Sequence, residues 1–431
     1  MLLSAAAAGV RCGGQSKDPL KVALLGFDGA NWNTIDPLLA AGKLPFLAEM
    51  KKRCAWADFE TFNPAKSHIV WTSIATGKTM LKHGILDFTY LKENNLRVPY
   101  TKNELREPQL WHILEQFHKR STVVNWYATH PPSPNMNGIL VSNRFRRAAI
   151  RRADMAEKFI DSVHPTSLFS SLKPLIERDY VRALQHTGVE NYLETFQTKR
   201  PNIDPQRIPV LRSFDTFLKQ EATVDHISDF LFDRPDWDLF ATYFRLPDLV
   251  QHFAWFLLDP DLRKEIAAAK PDAPDTAGLH RQATLEVARI LEPVYRYMES
   301  ILKSFIERGR SRNVLFLVMS DHGFAFHPGG YNHLNLPEGH PAPPGILLID
   351  GPGIVPGRLS EASVFDVAPT VLHSLDLPVG ANMDGRSLKE AFKSLGKIRR
   401  KAYTLQNTGS TRQGDSDREE LEELKSIGYI Q

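Results

Sequence analysis

Three carboxylates stand where an apolar run ends: Asp28 after "KVALLGF", Asp248 after "LFATYFRLP" and Asp321 after "NVLFLVMS". Two of them have an imidazole close by, His322 adjacent to Asp321 and His252 four residues beyond Asp248. Buried side chains of either kind are costly unless they are paired, hydrogen-bonded or bound to a metal. On a helix, Asp248 and His252 share one face and can grip one cation. Asp321 and His322 suit two ligands splayed on a loop after a strand. His340, in "PEGHPAPPGILL", can close the site of Asp248 and His252, and Asp28 can complete the other. Carboxylates and imidazoles without thiolates are the donors of a catalytic zinc or similar divalent ion; a closed structural zinc site usually shows cysteines. A strand-terminal Asp taken singly is often only a helix cap. The combination carries the weight.

A nucleophile lies between the first and second of these positions. Ser67, in "NPAKSHIVWTSIATGK", follows a Pro-Ala-Lys turn and opens a helical pattern. Its hydroxyl would sit where backbone N–H groups and the helix dipole favour an anion, although an ordinary serine cap has the same spacing. Lys66 beside it is placed to stabilise the equatorial oxygens of a phosphoryl group. The chemistry that uses all these groups is metal-assisted phosphoryl transfer through a phosphoseryl intermediate, with two divalent cations at the attacking and leaving oxygens. Zinc is the expected metal, with manganese as the alternative.

Elements must bring these residues together. Residues 20–31, 236–244, 313–320 and 345–354 read as buried strands, being short continuous apolar runs bounded by Gly, Pro and polar residues. Helical patterns lie between them: "TIDPLLAAGKLPFLAEMKKR", "IVWTSIATG", "QLWHILEQFHKR", "LEPVYRYMESILKSFIERGR" and "DVAPTVLHSL". Alternating strands and helices predict an α/β fold with a mostly parallel central sheet flanked by helices on both faces. Ligands in such sheets collect beyond the carboxyl ends of the strands, where Asp28, Asp248 and Asp321 would meet.

The expected organisation is a catalytic core over 20–143 and 236–405, interrupted at 144–235 by an inserted, mainly helical cap rich in Arg and punctuated by Pro. The run "RFRRAAIRR" (144–152) reads as a solvated helix face rather than a patch that steers anions. Residues 406–431 form a polar tail ending in a short helix over "EELEELKSIGYI". Residues 1–19 read as a leader or flexible N-terminus; a short apolar run there has no Lys or Arg before it, which leaves export (periplasmic or secreted) and cytoplasmic residence equally open.

Composition excludes several classes. With 42% hydrophobic and 24% charged residues in 431, the chain is an ordinary globular protein. A net charge of +3 gives no footprint for binding a nucleic-acid polymer. Cys12 and Cys54 show no CxxC spacing, so no disulfide framework is expected. No apolar stretch approaches the roughly 20 residues of a membrane span. The expected partner is a small phosphate ester.

The ordered set "FDGAN", "NPAKSHIVWTSIATGK", "KHGI", "PDLVQH", "SDHG" and "GHPAPPGILLIDGPGI" resembles the alkaline phosphatase superfamily, in particular its type I phosphodiesterase and nucleotide pyrophosphatase-like branch. The likeness covers about 20–90 and 236–390. It implies that Asp28, Ser67, Asp321 and His322 hold one metal and Asp248, His252 and His340 the other. Asp366, in "FDVAPTVLHSL", is expected to cap a helix or support the site. Two positions depart from the pattern. Asp87 and Phe88 follow "KHGI" where nucleotide pyrophosphatases usually carry a phosphate-binding Asn, which weakens the expectation of nucleotide diesters. His68 follows the nucleophile where relatives often have Pro or an apolar residue, and is expected as a wall of the pocket in preference to a proton shuttle. Sulfatases share the fold, but neither Ser67 nor Cys54 lies in the C/S-x-P-x-R motif their formylglycine requires. A phosphomonoesterase or phosphomutase on the same site is the neighbouring reading, and a non-catalytic envelope binding protein the more distant one.

Overall fold

Asp28, Asp248 and Asp321 follow three strands that lie side by side. In the computed structural model the described residues are 18–93, 95–150, 153–176, 188, 194, 198, 213–269, 276–327, 330–334, 340–405, 420–422, 424 and 425. A nine-stranded sheet is built from Lys21–Phe27 (β1), Ala55–Phe59 (β2), Ser121–Val124 (β3), Gly138–Val141 (β4), Val163–His164 (β5), Leu239–Phe244 (β6), Val314–Met319 (β7), Gly345–Asp350 (β8) and Gly357–Arg358 (β9). Its order is β9-β2-β8-β7-β1-β6-β3-β4-β5. All pairings are parallel except those of β8 with β7 and β2 and of β5 with β4. In register, Gly26 of β1 faces Tyr243 of β6 and Met319 of β7, so the three chains leave the sheet at one edge.

Side chains of β1 alternate between two cores, as a strand covered on both faces requires. Ala23, Leu25 and Phe27 join one core with the helices Trp32–Ala40 (α1) and Thr276–Gly309; Val22 and Leu24 join the other with Ser67–Thr76 (α2) and Val367–Ser374. The fold is therefore α/β with helices on both faces. The long pattern at 34–53 is two helices, Trp32–Ala40 and Pro45–Arg53, because Pro45 restarts the chain at a first helical turn. β8 runs antiparallel to both of its neighbours. Between β7 and β8 lies a hairpin of Ala325–His327 and Gly330–Asn332, and among the described residues there is no crossover helix of the kind a parallel return usually uses.

Within 144–235, β5 pairs with β4 at the sheet edge, and the helix Phe214–Phe232 (α3) supplies Phe217, Leu218, Val224, Ile227 and Leu231 to a central core. Most of 177–212 lies outside the described residues, as do 1–17, including Cys12, and 406–419. The expectation for the "RFRRAAIRR" run is corrected at its first three arginines: Arg144, Arg146 and Arg147 are buried, not solvated, while Arg151 and Arg152 lie outside the described residues. Cys54 is buried and free, its thiol pushed up to about 12, mainly by burial. Among the described residues no helix is long and apolar enough to cross a membrane.

One buried acid anchors the helix Leu246–Leu257 (α4), which carries Asp248 and His252. Glu221 of α3 accepts hydrogen bonds from the Arg245 and Leu246 N–H groups at 3.2 and 3.1 Å. These are among the donors that a helix N-terminus leaves unsatisfied. Burial raises the Glu221 carboxyl to about 7, against the pull of the Arg245 charge. A raised folded-state value favours the protonated folded form. Its contribution to stability is complete below the ordinary carboxyl range and is lost as pH rises through about 7. The melting temperature of the native chain relative to Glu221→Gln is therefore expected to be highest near pH 4 and to decline toward pH 8. A constant difference across that range would show that Glu221 is not held neutral.

Candidate active site

The first carboxylate sits just past β1. Asp28 accepts a hydrogen bond at Oδ1 from the Ser67 hydroxyl at 3.4 Å, and at Oδ2 from the Tyr243 hydroxyl on β6. Ser67 is fully buried as the first residue of α2, with Lys66 as its N-cap and Gly77 closing the helix in the left-handed region at φ +67°. The Asp28 turn depends on Gly29, whose φ is +69°; a Cβ there would stand 3.0 Å from the Asp248 Cα. Gly29 N–H donates to Asp321 Oδ1 at 3.3 Å, and its carbonyl accepts from Gln251 Nε2 at 2.8 Å. One turn thus fixes all three acid-bearing segments.

Two histidines complete the cluster. The rings of His322 and His333 stack with centroids 3.6 Å apart and 9° between planes. Each directs Nδ1 at a backbone carbonyl, His322 at Gly323 O (3.2 Å) and His333 at Ala65 O (3.0 Å). With Nδ1 turned to those carbonyls, Nε2 of each ring faces the carboxylates. His322 Nε2 is 3.3 Å from Asp28 Oδ1 and 3.4 Å from Asp321 Oδ2. His333 Nε2 is 3.4 Å from Asp248 Oδ1 and 3.2 Å from His252 Nε2, and His252 Nε2 is itself 3.3 Å from Asp248 Oδ1.

The electrostatics call for positive charge inside this cluster. Asp28, Asp248 and Asp321 are 2%, 1% and 0% exposed, too close and too dry for three bare anions. Burial, then the Asp28 charge, drives the Asp321 carboxyl well above its usual range. Burial would lower His322, but Asp321, Asp28 and Asp248 together raise it to about 10. His333 is held well below its ordinary value by burial and by the charge of His322. Asp321 Oδ2 and His322 Nε2 make no hydrogen bond. Donor atoms of Asp28, Asp321 and His322 lie within 4.8 Å of one another, as do those of Asp248, His322 and His333. Such donor sets fit two divalent cations, with His322 on the boundary between them.

Of the residues singled out in the sequence, Asp28, Ser67, Asp248, His252, Asp321 and His322 converge. His340 is exposed, and its carbonyl accepts a hydrogen bond from Asn63 Nδ2, four residues before Ser67, at 3.0 Å. His333, not singled out in the sequence, reaches Asp248 and His252 because the hairpin brings the chain back over α4, where the Tyr331 hydroxyl donates to Gln251 Oε1 at 3.2 Å and Phe324 stacks on Tyr331. No spacing rule marks His333 in "GGYNHLN". Tyr243 and Gln251 were missed too; both read in sequence as ordinary members of apolar elements.

Lys66 extends its ammonium to Asp87 Oδ2 at 2.6 Å, which ties the position before the nucleophile to the residue that replaces the expected Asn. His68 packs between Tyr127 and Phe88, with ring centroids at 4.6 and 5.8 Å, and burial lowers its pKa to about 4. Asp366 caps its helical turn, accepting from Ser363 N at 2.9 Å and Arg386 N at 2.7 Å.

The fold is that of the alkaline phosphatase superfamily. Residues 22–357 match the family described as type I phosphodiesterase/nucleotide pyrophosphatase, and the chain belongs to that family. A curated relative, the 2,3-bisphosphoglycerate-independent phosphoglycerate mutase of Desulforudis audaxviator (strain MP104C), is 28% identical over 232 residues, which is 52% of this chain and 39% of the relative. The match thus spans well under half the length of that enzyme. Among solved structures, a 2-O GAG sulfatase aligns with a TM-score of 0.50 at 10% identity, covering 90% of this chain and 78% of the other. The phosphonate monoester hydrolase of Silicibacter pomeroyi aligns with a TM-score of 0.44 at 13% identity, covering 87% and 77%.

Proposed function

We propose that the protein hydrolyses phosphate esters through a phosphoseryl intermediate on Ser67, at a site that holds two divalent cations. The observation that carries this reading is the convergence of a buried serine hydroxyl with three carboxylates and three imidazoles at the carboxyl ends of three adjacent parallel strands. Asp28, Ser67, Asp321 and His322 would hold one cation, and Asp248, His252 and His333 the other. When bound, zinc, or manganese in its place, would neutralise the buried carboxylates and stabilise charge on the attacking, leaving and phosphoryl oxygens.

This chain's residues perform the remaining work. Ser67 Oγ attacks phosphorus in line; the P–O bond to the leaving alcohol breaks and the phosphate becomes esterified to serine. Asp28 Oδ1, 3.4 Å from Oγ, lies on the path of the departing serine proton, and the Tyr243 hydroxyl keeps that carboxylate oriented. The N-terminal amides of α2 and the Lys66 ammonium face the phosphoryl oxygens. Water then releases phosphate and restores Ser67. An acceptor alcohol in place of water would make the same intermediate a mutase, the second reading that the 232-residue match favours.

The test is turnover of a panel of aryl phosphate mono- and diesters by the purified protein before and after dialysis against a chelator. Chelation is expected to abolish turnover, and zinc or manganese to restore it. Activity that survives complete removal of metal would contradict the reading. A protein that binds metal yet turns over no ester, with or without an acceptor alcohol, would favour a binding role.

A further inference from the structure

The buried arginines of "RFRRAAIRR" surround a carboxylate from the far end of the chain. Arg144, Arg146 and Arg147 are 3%, 4% and 2% exposed. Glu420, itself 4% exposed, enters among them: its Oε2 accepts from Arg144 Nε at 3.0 Å and lies 3.6 Å from Arg147 Nη1. Leu424, one helical turn further on, is buried in the core that contains Trp71 and Trp126, so the segment is seated in the body of the protein.

Hydrogen bonds link this arginine cluster to the catalytic one. Arg146 Nη1 donates to Asn125 Oδ1 at 3.3 Å, Asn125 Nδ2 donates to the Tyr243 carbonyl at 2.8 Å, and the Tyr243 hydroxyl donates to Asp28. His68, the residue after the nucleophile, feels the Glu420 charge more than that of any other surrounding group, and His130 lies within reach of the charges of Arg144, Glu420 and Arg147. Burial alone would raise the Glu420 carboxyl, but Arg147, Arg144 and His68 outweigh it and hold the group at about 2. A guanidinium presents a planar fork of donors that matches carboxylate and phosphate oxygens alike. What the pocket recognises is an oxyanion, and the occupant in this state is the protein's own.

We propose that the cluster of Arg144, Arg146 and Arg147 is an anion subsite linked to the Ser67 site, that Glu420 is its displaceable internal ligand, and that the substrates are phosphate esters whose alcohol carries a second oxyanion, carboxylate or phosphate. This rests on the phosphate-ester reading above. A substrate of that class competes with the C-terminal segment, while a simple ester leaves it in place.

The experiment compares phenyl phosphate with its ortho, meta and para carboxy derivatives on the intact chain and on Glu420→Gln. The variant is expected to lower KM for at least one carboxylated ester about tenfold and to change KM for phenyl phosphate less than about twofold. In the unmodified protein, amide hydrogen exchange across 420–425 is expected to quicken with that carboxylated ester and not with phenyl phosphate. Equal KM changes for all the esters, or exchange at 420–425 indifferent to every carboxylated ester, would overturn the proposal and leave Glu420 a clasp for the fold. Exchange in the native chain decides the matter even if the variant fails to fold. Should no ester be turned over, the phosphate-ester reading falls by itself. The pocket is then judged with inorganic phosphate, which must quicken exchange at 420–425 for the subsite to stand.

Discussion

Ser67→Ala is expected to lower turnover of an aryl phosphate by a factor on the order of a thousand or more, with metal content and melting temperature close to those of the native protein. The expectation follows from what the side chain does and does not touch. Ser67 Oγ meets Asp28 Oδ1 at 3.4 Å, a long hydrogen bond, and Asp28 keeps its Tyr243 partner when the hydroxyl is removed. Little folding energy depends on that oxygen, whereas the covalent intermediate has no other site on which to form. Single-turnover assays, with metal analysis and thermal melts of the same samples, measure all three quantities. Turnover within about tenfold of the native rate would remove Ser67 from the chemistry.

Replacing His333 by alanine has the second-largest expected effect. Its Nε2 meets both Asp248 and His252, its ring lies against His322, and its Nδ1 is tied to the Ala65 carbonyl two residues before Ser67. Loss of the ring opens one donor set and releases the stack that orients the other. His333→Ala is expected to retain about one metal ion in place of two and to lose activity by at least about a hundredfold. His340→Ala, at an exposed position, is expected to keep both ions and to change activity less than about twofold. The reverse pattern would place His340 in the site and exclude His333.

The contrast between these two histidines shows where sequence reasoning stops. Strands β1, β6 and β7 are recognisable because burial on both faces demands unbroken apolar runs, and an acid at the end of such a run is conspicuous. The i, i+4 pair Asp248 and His252 follows from helix periodicity alone. His333 depends on a hairpin whose pairing of Phe326 with Tyr331 has no period that could be counted beforehand. The "RFRRAAIRR" run was misread for a related reason. Three arginines in a helical stretch look solvated until a partner as distant as Glu420 is brought to them by the fold. Interactions across hundreds of residues are set by packing, and local pattern does not encode them.

Anomalous diffraction from crystals grown with zinc tests the central claim most directly. Two peaks are expected, one bounded by Asp28, Asp321, His322 and the Ser67 hydroxyl, the other by Asp248, His252 and His333. A single peak, or peaks remote from these seven side chains, would contradict the account.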